Sequence, residues 1–244
     1  MRIGILNLVE SKSPEMRARF GGYANVFREN ILENEFESIR FDVLFNELPK
    51  SVGEFDGYLI SGADDAVYDP LPWIKPLEDF ARAVIDRKIP IVGICFGHQL
   101  IAHALGGRVE KSSKGWGIGL HAYAVSNARP WMDEISSVSL MAFHEDQVIA
   151  PPPHADVILS SAFAPFAGLA YTQAPILSFQ AHPEFSPAYV EALLHLPNMP
   201  KFSQALLDEA LASLNKPNDG ARVISWIRRF FKHYGGKNSR NQPH

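Results

Sequence analysis

Ile91-Val92-Gly93-Ile94-Cys95-Phe96-Gly97-His98-Gln99 is the stretch from which the chain is read. Ile89 to Ile94 (IPIVGI) is a short apolar run suited to a buried strand, and His98 to Leu105 has helical character. Gly106-Gly107 follows, a pair that suits a helix C-terminus. Between strand and helix, G-x-C-x-G has the spacing of the G-x-S-x-G elbow, where a nucleophile sits on a turn too tight for a Cβ two residues to either side. The elbow places Cys95 at the C-terminal end of its strand, where open α/β sheets bind ligands. A helix N-terminus there favours thiolate over thiol. The backbone N–H of Phe96 faces the same space and is a candidate oxyanion donor. A lone cysteine is ordinarily an inert small hydrophobe. The paired glycines and the strand-then-helix context decide here for chemistry.

Upstream the same alternation continues. Arg2–Leu8 reads as a strand and Pro14–Leu32 as one helix capped by Ser13, with Met16, Phe20, Tyr23, Val26, Phe27 and Ile31 at helical spacing. Phe36–Leu44 reads as a strand, with Phe41, Val43 and Phe45 on one face; Phe20, Phe27, Phe41 and Phe45 are expected in the core. Phe55–Ile60 reads as a strand running into a Ser61-Gly62 turn, and Trp73–Arg87 as a helix. Strands separated by helices of this length build parallel βαβ units. Downstream, Ile118–Val125, Val138–Ala142, Asp156–Ser160, Gly168–Tyr171 and Ile176–Ser178 are short strands that extend or flank the sheet as hairpins. Ala188–Leu196, Phe202–Leu214 and Ala221–Tyr234 are helical. The expected fold is α/β: a doubly wound, mostly parallel sheet with flanking helices, a β-rich second half and a helical C-terminal extension. One domain over 1–234 is expected, with 187–234 as the extension and 235–244 as a frayed tail.

Composition agrees. The 244 residues are 46% hydrophobic and 20% charged, enough to build a core and too apolar for disorder. A net charge of −4, from 23 basic against 27 acidic side chains, argues against a nucleic-acid partner held through phosphates. No run approaches 18 apolar residues, so no membrane span or membrane partner is expected. The N-terminus reads as a strand rather than a leader, and Cys95 is the single cysteine, so no intrachain disulfide forms. A cytoplasmic location is expected.

A thiol nucleophile needs a base and the base an orienter. Ile176–Glu184 (ILSFQAHPE) is a strand followed by His182-Pro183-Glu184. Pro183 holds His182 extended, and in extended chain residues i and i+2 point the same way, so His182 and Glu184 lie side by side. A carboxylate beside imidazole fixes its tautomer and stabilises the imidazolium. The other histidines carry less: His98 and His103 are helix residues, and His121, His154, His195 and His233 have no metal-site spacing. Arg228, Arg229 and Lys232 form a basic helical face read as solvated surface.

Taken together, GICFGHQ around Cys95, AHPE at His182 and Glu184, and the ISG turn at Ser61-Gly62 resemble the class I (triad) glutamine amidotransferases, most of all the free-standing, GMP-synthase-like members. The likeness covers about residues 40–190. It implies Cys95 as nucleophile, His182 as general acid/base, Glu184 as its orienter, and Gln99 as a residue that helps hold the glutamine substrate. Met141–Val148 (MAFHEDQV) is similar to the family stretch whose backbone contacts the substrate's α-amino and α-carboxylate groups, so His144, Glu145 and Asp146 are carried over as lining positions. The chain departs from the family at one turn: where Ser-Gly-Gly-Pro is usual, it reads Ser61-Gly62-Ala63-Asp64. The Gly62–Ala63 turn donates to an oxyanion if φ at Ala63 stays negative; a positive φ would strain it by about 1–2 kcal/mol.

The resemblance implies amide hydrolysis through a Cys95 thioester, with no metal and no cofactor. The substrate is glutamine or another γ-glutamyl amide. Neither a G-x-x-x-x-G-K-[ST] loop nor a Ser-Gly-Gly-x-Asp-Ser stretch is present for an attached synthetase. A separate synthetase subunit would then receive the ammonia, or the enzyme is a simple hydrolase. A γ-glutamyl peptidase acting on glutathione-like amides and a regulatory module that waits for a partner are the alternatives. An α/β-hydrolase is disfavoured, because its acid precedes the histidine in chain order.

Overall fold

In the computed structural model, residues 1–9, 13–33, 35–197 and 199–238 are described. The expected βα alternation produces β1 (Arg2–Asn7), α1 (Pro14–Phe20), α2 (Tyr23–Val26), β2 (Glu37–Asp42), β3 (Gly57–Ile60), α3 (Ile74–Asp86), β4 (Ile91–Ile94) and α4 (Phe96–Ala104). The second half supplies β5 (Arg108–Lys111), β6 (Gly117–Val125), β7 (Ser137–His144), β8 (Asp146–Ala150), β9 (Ala155–Ser160), β10 (Gly168–Tyr171) and β11 (Ile176–Phe179). It closes with α5 (Pro187–Leu194), α6 (Gln204–Ser213) and α7 (Gly220–Asn238).

Nine strands form one sheet in the order β2-β1-β3-β4-β11-β10-β9-β6-β7. The five from β2 to β11 are parallel, and β10, β9, β6 and β7 extend them antiparallel. This is the doubly wound, mostly parallel sheet expected, with the β-rich half as its extension. Alternate residues of the parallel strands bury on opposite faces, as a two-unit period requires. Ile3, Ile5, Leu59, Val92 and Leu177 share a core with α5 and α7, while Leu6, Tyr58, Ile60, Ile91 and Ile176 pack with α3 and α4. Trp226, Ile227, Phe230 and Phe231 of α7 are almost wholly buried, so this helix completes the first core rather than decorating the surface. Among the described residues no helix is long and apolar enough to cross a membrane.

Several local expectations change. Pro14–Leu32 is not one helix: α1 is capped by Ser13, whose side chain accepts from the Met16 amide, and then breaks at Gly21-Gly22, where φ is +73° and +87°. After α2 the chain winds as a π-helix over Phe27–Leu32. β2 ends at Asp42 and a 3₁₀ turn takes Val43–Phe45, which undoes the alternation; Val43 is buried while Phe45 is 63% exposed, outside the core. Two strands went unforeseen, β5 and β8, which pair antiparallel apart from the main sheet. α7 continues four residues past Tyr234, and residues 239–244 of the expected tail lie outside the described residues.

Candidate active site

Cys95 stands between β4 and α4 with φ +51° and ψ −104°. A non-glycine residue at such angles is strained, and the strain persists only where the surroundings over-determine it. Here they do. The Cys95 amide bonds to the Phe179 carbonyl at 2.8 Å and its carbonyl accepts from the Gln99 amide at 3.0 Å. A Cβ on Gly93 would lie 2.4 Å from the Gly97 carbonyl oxygen, and one on Gly97 would lie 2.6 Å from that of Ile60. Both glycines of the motif are therefore needed for close backbone approach. Cys95 as a whole is 7% exposed.

β11 lies beside β4 and carries the chain on to His182, whose amide bonds to the Met141 carbonyl of β7 at 2.8 Å. Its Nδ1 lies 2.7 Å from Oε1 of Glu184. Phe185 stacks flat on the imidazole, with centroids 4.0 Å apart and 1° between planes. Both His182 and Glu184 are buried. Burial alone would push the imidazole toward its neutral form. The Glu184 charge, the Cys95 sulfur and hydrogen bonds to both overcome it, so its pKa rises to about 10.

Gly62 closes the third side. A Cβ there would come 3.0 Å from the Tyr23 hydroxyl, 3.3 Å from His182 Cε1 and 3.6 Å from Cys95 Cβ. Ser61 locks the turn: its Oγ accepts from the Leu8 amide at 2.9 Å and donates to the Gly62 carbonyl at 2.9 Å. Ala63 has no positive φ, so the departure from glycine brings no backbone strain. The amides of Phe96 and Ala63 have no acceptor among the described residues.

The lining residues meet in the same cleft, of about 650 Å³. Gln99 is not free: its Nε2 donates to the Asp146 carbonyl at 2.8 Å and to Gln180 Oε1 at 3.2 Å. His144 sets Nδ1 against the Asp146 carbonyl at 3.1 Å, so that nitrogen carries the proton, and burial lowers the pKa of the ring to about 3. Glu145 pairs with Lys111, and Asp146 accepts from the Tyr68 hydroxyl. The same cleft is lined by the aromatic and apolar side chains of Trp116, Phe143, Tyr189, Leu193 and Met199.

Two further residues of the site were not foreseen. Gln180 is buried and its Nε2 donates to Cys95 Sγ at 3.6 Å. It stands two before His182, so the alternation that paired His182 with Glu184 could have found it. Tyr23 donates its hydroxyl to Glu184 Oε1 at 3.0 Å. Its helical spacing reads as core, and only the preceding Gly21-Gly22 hints otherwise.

A family model described as glutamine amidotransferase class-I matches residues 23–192. Gamma-glutamyl peptidase 2 of Arabidopsis thaliana is 29% identical over 225 residues, 89% of this chain and 90% of its own length. The GMP synthase [glutamine-hydrolyzing] of Aromatoleum aromaticum is 31% identical over 140 residues, 52% of this chain but 25% of that longer protein. A solved glutamine amidotransferase from Thermotoga maritima has the same fold, with a TM-score of 0.70 at 18% identity over 96% of this chain and 97% of that one.

Proposed function

The chain belongs to the class-I glutamine amidotransferase family, and on that premise we propose that it hydrolyses γ-glutamyl amides through a thioester on Cys95. The observation that carries this reading is Cys95 on its strained elbow, facing a buried His182 that Glu184 holds at 2.7 Å. With Nδ1 given to Glu184, the other imidazole nitrogen serves the sulfur. The Cys95 thiolate attacks the γ-carbonyl carbon, and the carbonyl electrons move onto oxygen. The amides of Phe96 and Ala63, with the Gly62 turn, stabilise that oxyanion, an effect worth about 3–4 kcal/mol per good donor. His182 protonates the leaving nitrogen as the C–N bond breaks. Water then attacks the thioester carbonyl, His182 takes its proton, and glutamate leaves as the C–S bond breaks and the thiolate is restored. Gln99, His144, Glu145 and Asp146 line the pocket for the glutamyl end.

The cleft favours an amide larger than glutamine. Its volume of about 650 Å³ is in the range of drug-sized ligands, and its apolar wall has no counterpart in a free glutamine side chain. The near full-length likeness to γ-glutamyl peptidases points the same way. The identity with GMP synthase supports a second reading, in which glutamine is the substrate and a separate synthetase subunit takes the ammonia. Glutamate release from glutamine, glutathione and a second γ-glutamyl peptide, with Cys95→Ala as blank, separates the two. Preference for the peptides supports the hydrolase, and preference for glutamine supports the amidotransferase. Activity that survives Cys95→Ala defeats both.

A further inference from the structure

We propose that Tyr23 is a positioning residue for the His182–Glu184 pair, its hydroxyl pinning the Glu184 carboxylate so that the imidazole is presented to Cys95. The inference rests on the preceding reading only in assigning that pair to Cys95. Glu184 Oε1 receives both the His182 ring at 2.7 Å and the Tyr23 hydroxyl at 3.0 Å, and that hydroxyl is 3.5 Å from His182 Nδ1. Oε2 is buried and has no hydrogen-bond partner among the described residues. The carboxylate thus depends on two donors at one oxygen, and one of those is the group it must orient. Burial, and next the charge of Glu184, hold the Tyr23 phenol well above its usual pKa, so it remains a donor throughout the working range.

The segment that carries Tyr23 is built to hold it there. Gly21 and Gly22, both at positive φ, turn the chain inward. Phe27 and Phe185 pack edge-on against the ring, with centroids at 5.0 and 5.8 Å. Within the π-helix that follows, Asn30 Nδ2 donates to the Glu184 backbone carbonyl at 2.8 Å, so the same strap grips Glu184 at main chain and side chain. Arg228 of α7 anchors the strap from behind, donating to the carbonyls of Ile31 at 2.7 Å and Asn30 at 3.0 Å and pairing with Glu33 at 2.6 Å. What reads in sequence as a solvated basic residue is a tie between the C-terminal helix and the site.

The sign of the effect follows. Without the hydroxyl, the Glu184 carboxylate keeps only the His182 ring as a donor at Oε1 and is no longer pinned against it, so it holds and stabilises the imidazolium less. The imidazolium then supports the Cys95 thiolate less well. Because Cys95 is the chain's only cysteine, the rate of alkylation by iodoacetamide reports this residue alone and needs no substrate. Tyr23→Phe keeps the ring and its packing. It is expected to raise the midpoint of the alkylation-rate profile by about 0.5–1 pH unit. In turnover it should lower kcat about 10- to 150-fold with KM within about twofold, the cost of one hydrogen bond to a charged group. Phe27→Leu, which loosens the same cluster and leaves the hydroxyl, is expected to keep the wild-type midpoint. An unmoved or lowered midpoint in Tyr23→Phe, or an equal rise in Phe27→Leu, overturns the proposal. A raised midpoint in Tyr23→Phe alone, in a protein that releases glutamate from no γ-glutamyl amide, defeats the hydrolase reading and leaves the role of Tyr23 standing.

Discussion

At Cys95 the thiol and the backbone make separate demands, and substitutions can tell them apart. Cys95→Ala removes the sulfur but keeps a Cβ at φ +51°, whereas Cys95→Gly removes both. Both variants should be inactive and folded, and the glycine variant should be the more stable by about 1 kcal/mol, since relief of backbone strain exceeds the added chain entropy. Thermal melting of the two settles it; a lower melting point for Cys95→Gly would mean the elbow is unstrained. His98 offers a second test. It is wholly buried against Ser178 at 2.8 Å, and burial lowers its pKa to about 3 from the ordinary 6.5. Its neutral form favours the native state above pH 6.5, and that advantage is lost as pH falls toward 3. The slope per such histidine is at most about 1.4 kcal/mol per pH unit. His98→Gln should therefore flatten the acid limb of stability, read from urea midpoints between pH 6.5 and 4. Cys95, His182 and Glu184 were legible as residues because spacing with glycine and proline constrains backbone directly. Tyr23 was not, because a tyrosine that bonds a carboxylate and one that fills a core share the same helical spacing.

Elements whose pattern is set by one local rule were readable, and those set by tertiary packing were not. β4 and α4 follow from the elbow. The break after α1 follows from two glycines whose positive φ no periodicity announces, since Phe20 and Tyr23 keep the helical rhythm across it. β5 (RVEK) and β8 (DQVIA) were missed because short strands carrying charges have no alternation long enough to read. The extended reading of Val43–Phe45 failed because valine and phenylalanine carry strand propensity, while the 3₁₀ turn there is set by the left-handed Asn46 that closes it, at φ +61°. Glycine substitutions distinguish the two kinds of constraint. Gly93→Ala would set a Cβ 2.4 Å from fixed backbone and should cost about 3 kcal/mol or more. Gly106→Ala meets nothing within 4 Å, but at φ +92° it should cost only about 1–2 kcal/mol. Denaturant titration of both should preserve that order; equal losses would mean the elbow yields.

Across the whole molecule, α7 belongs to the core that precedes it in sequence. Phe231 lies so close to Gly57 of β3 that a Cβ there would come within 2.9 Å of its ring, and Trp226 bonds to Asp133 at 2.9 Å through its indole N–H. Ending the chain at Asp219 should leave far-ultraviolet helix and strand signals but abolish the near-ultraviolet aromatic signal and cooperative melting. A sharp transition near the full-length temperature would show the helix to be an appendage. The single buried sulfur has a consequence of another kind. Oxidised by peroxide to a sulfenic acid, Cys95 finds no second thiol in the chain with which to close a disulfide. Its return to the reduced state then rests on a thiol from solution reaching a site that is 7% exposed, and where none arrives the oxidation runs on to the irreversible sulfinic acid.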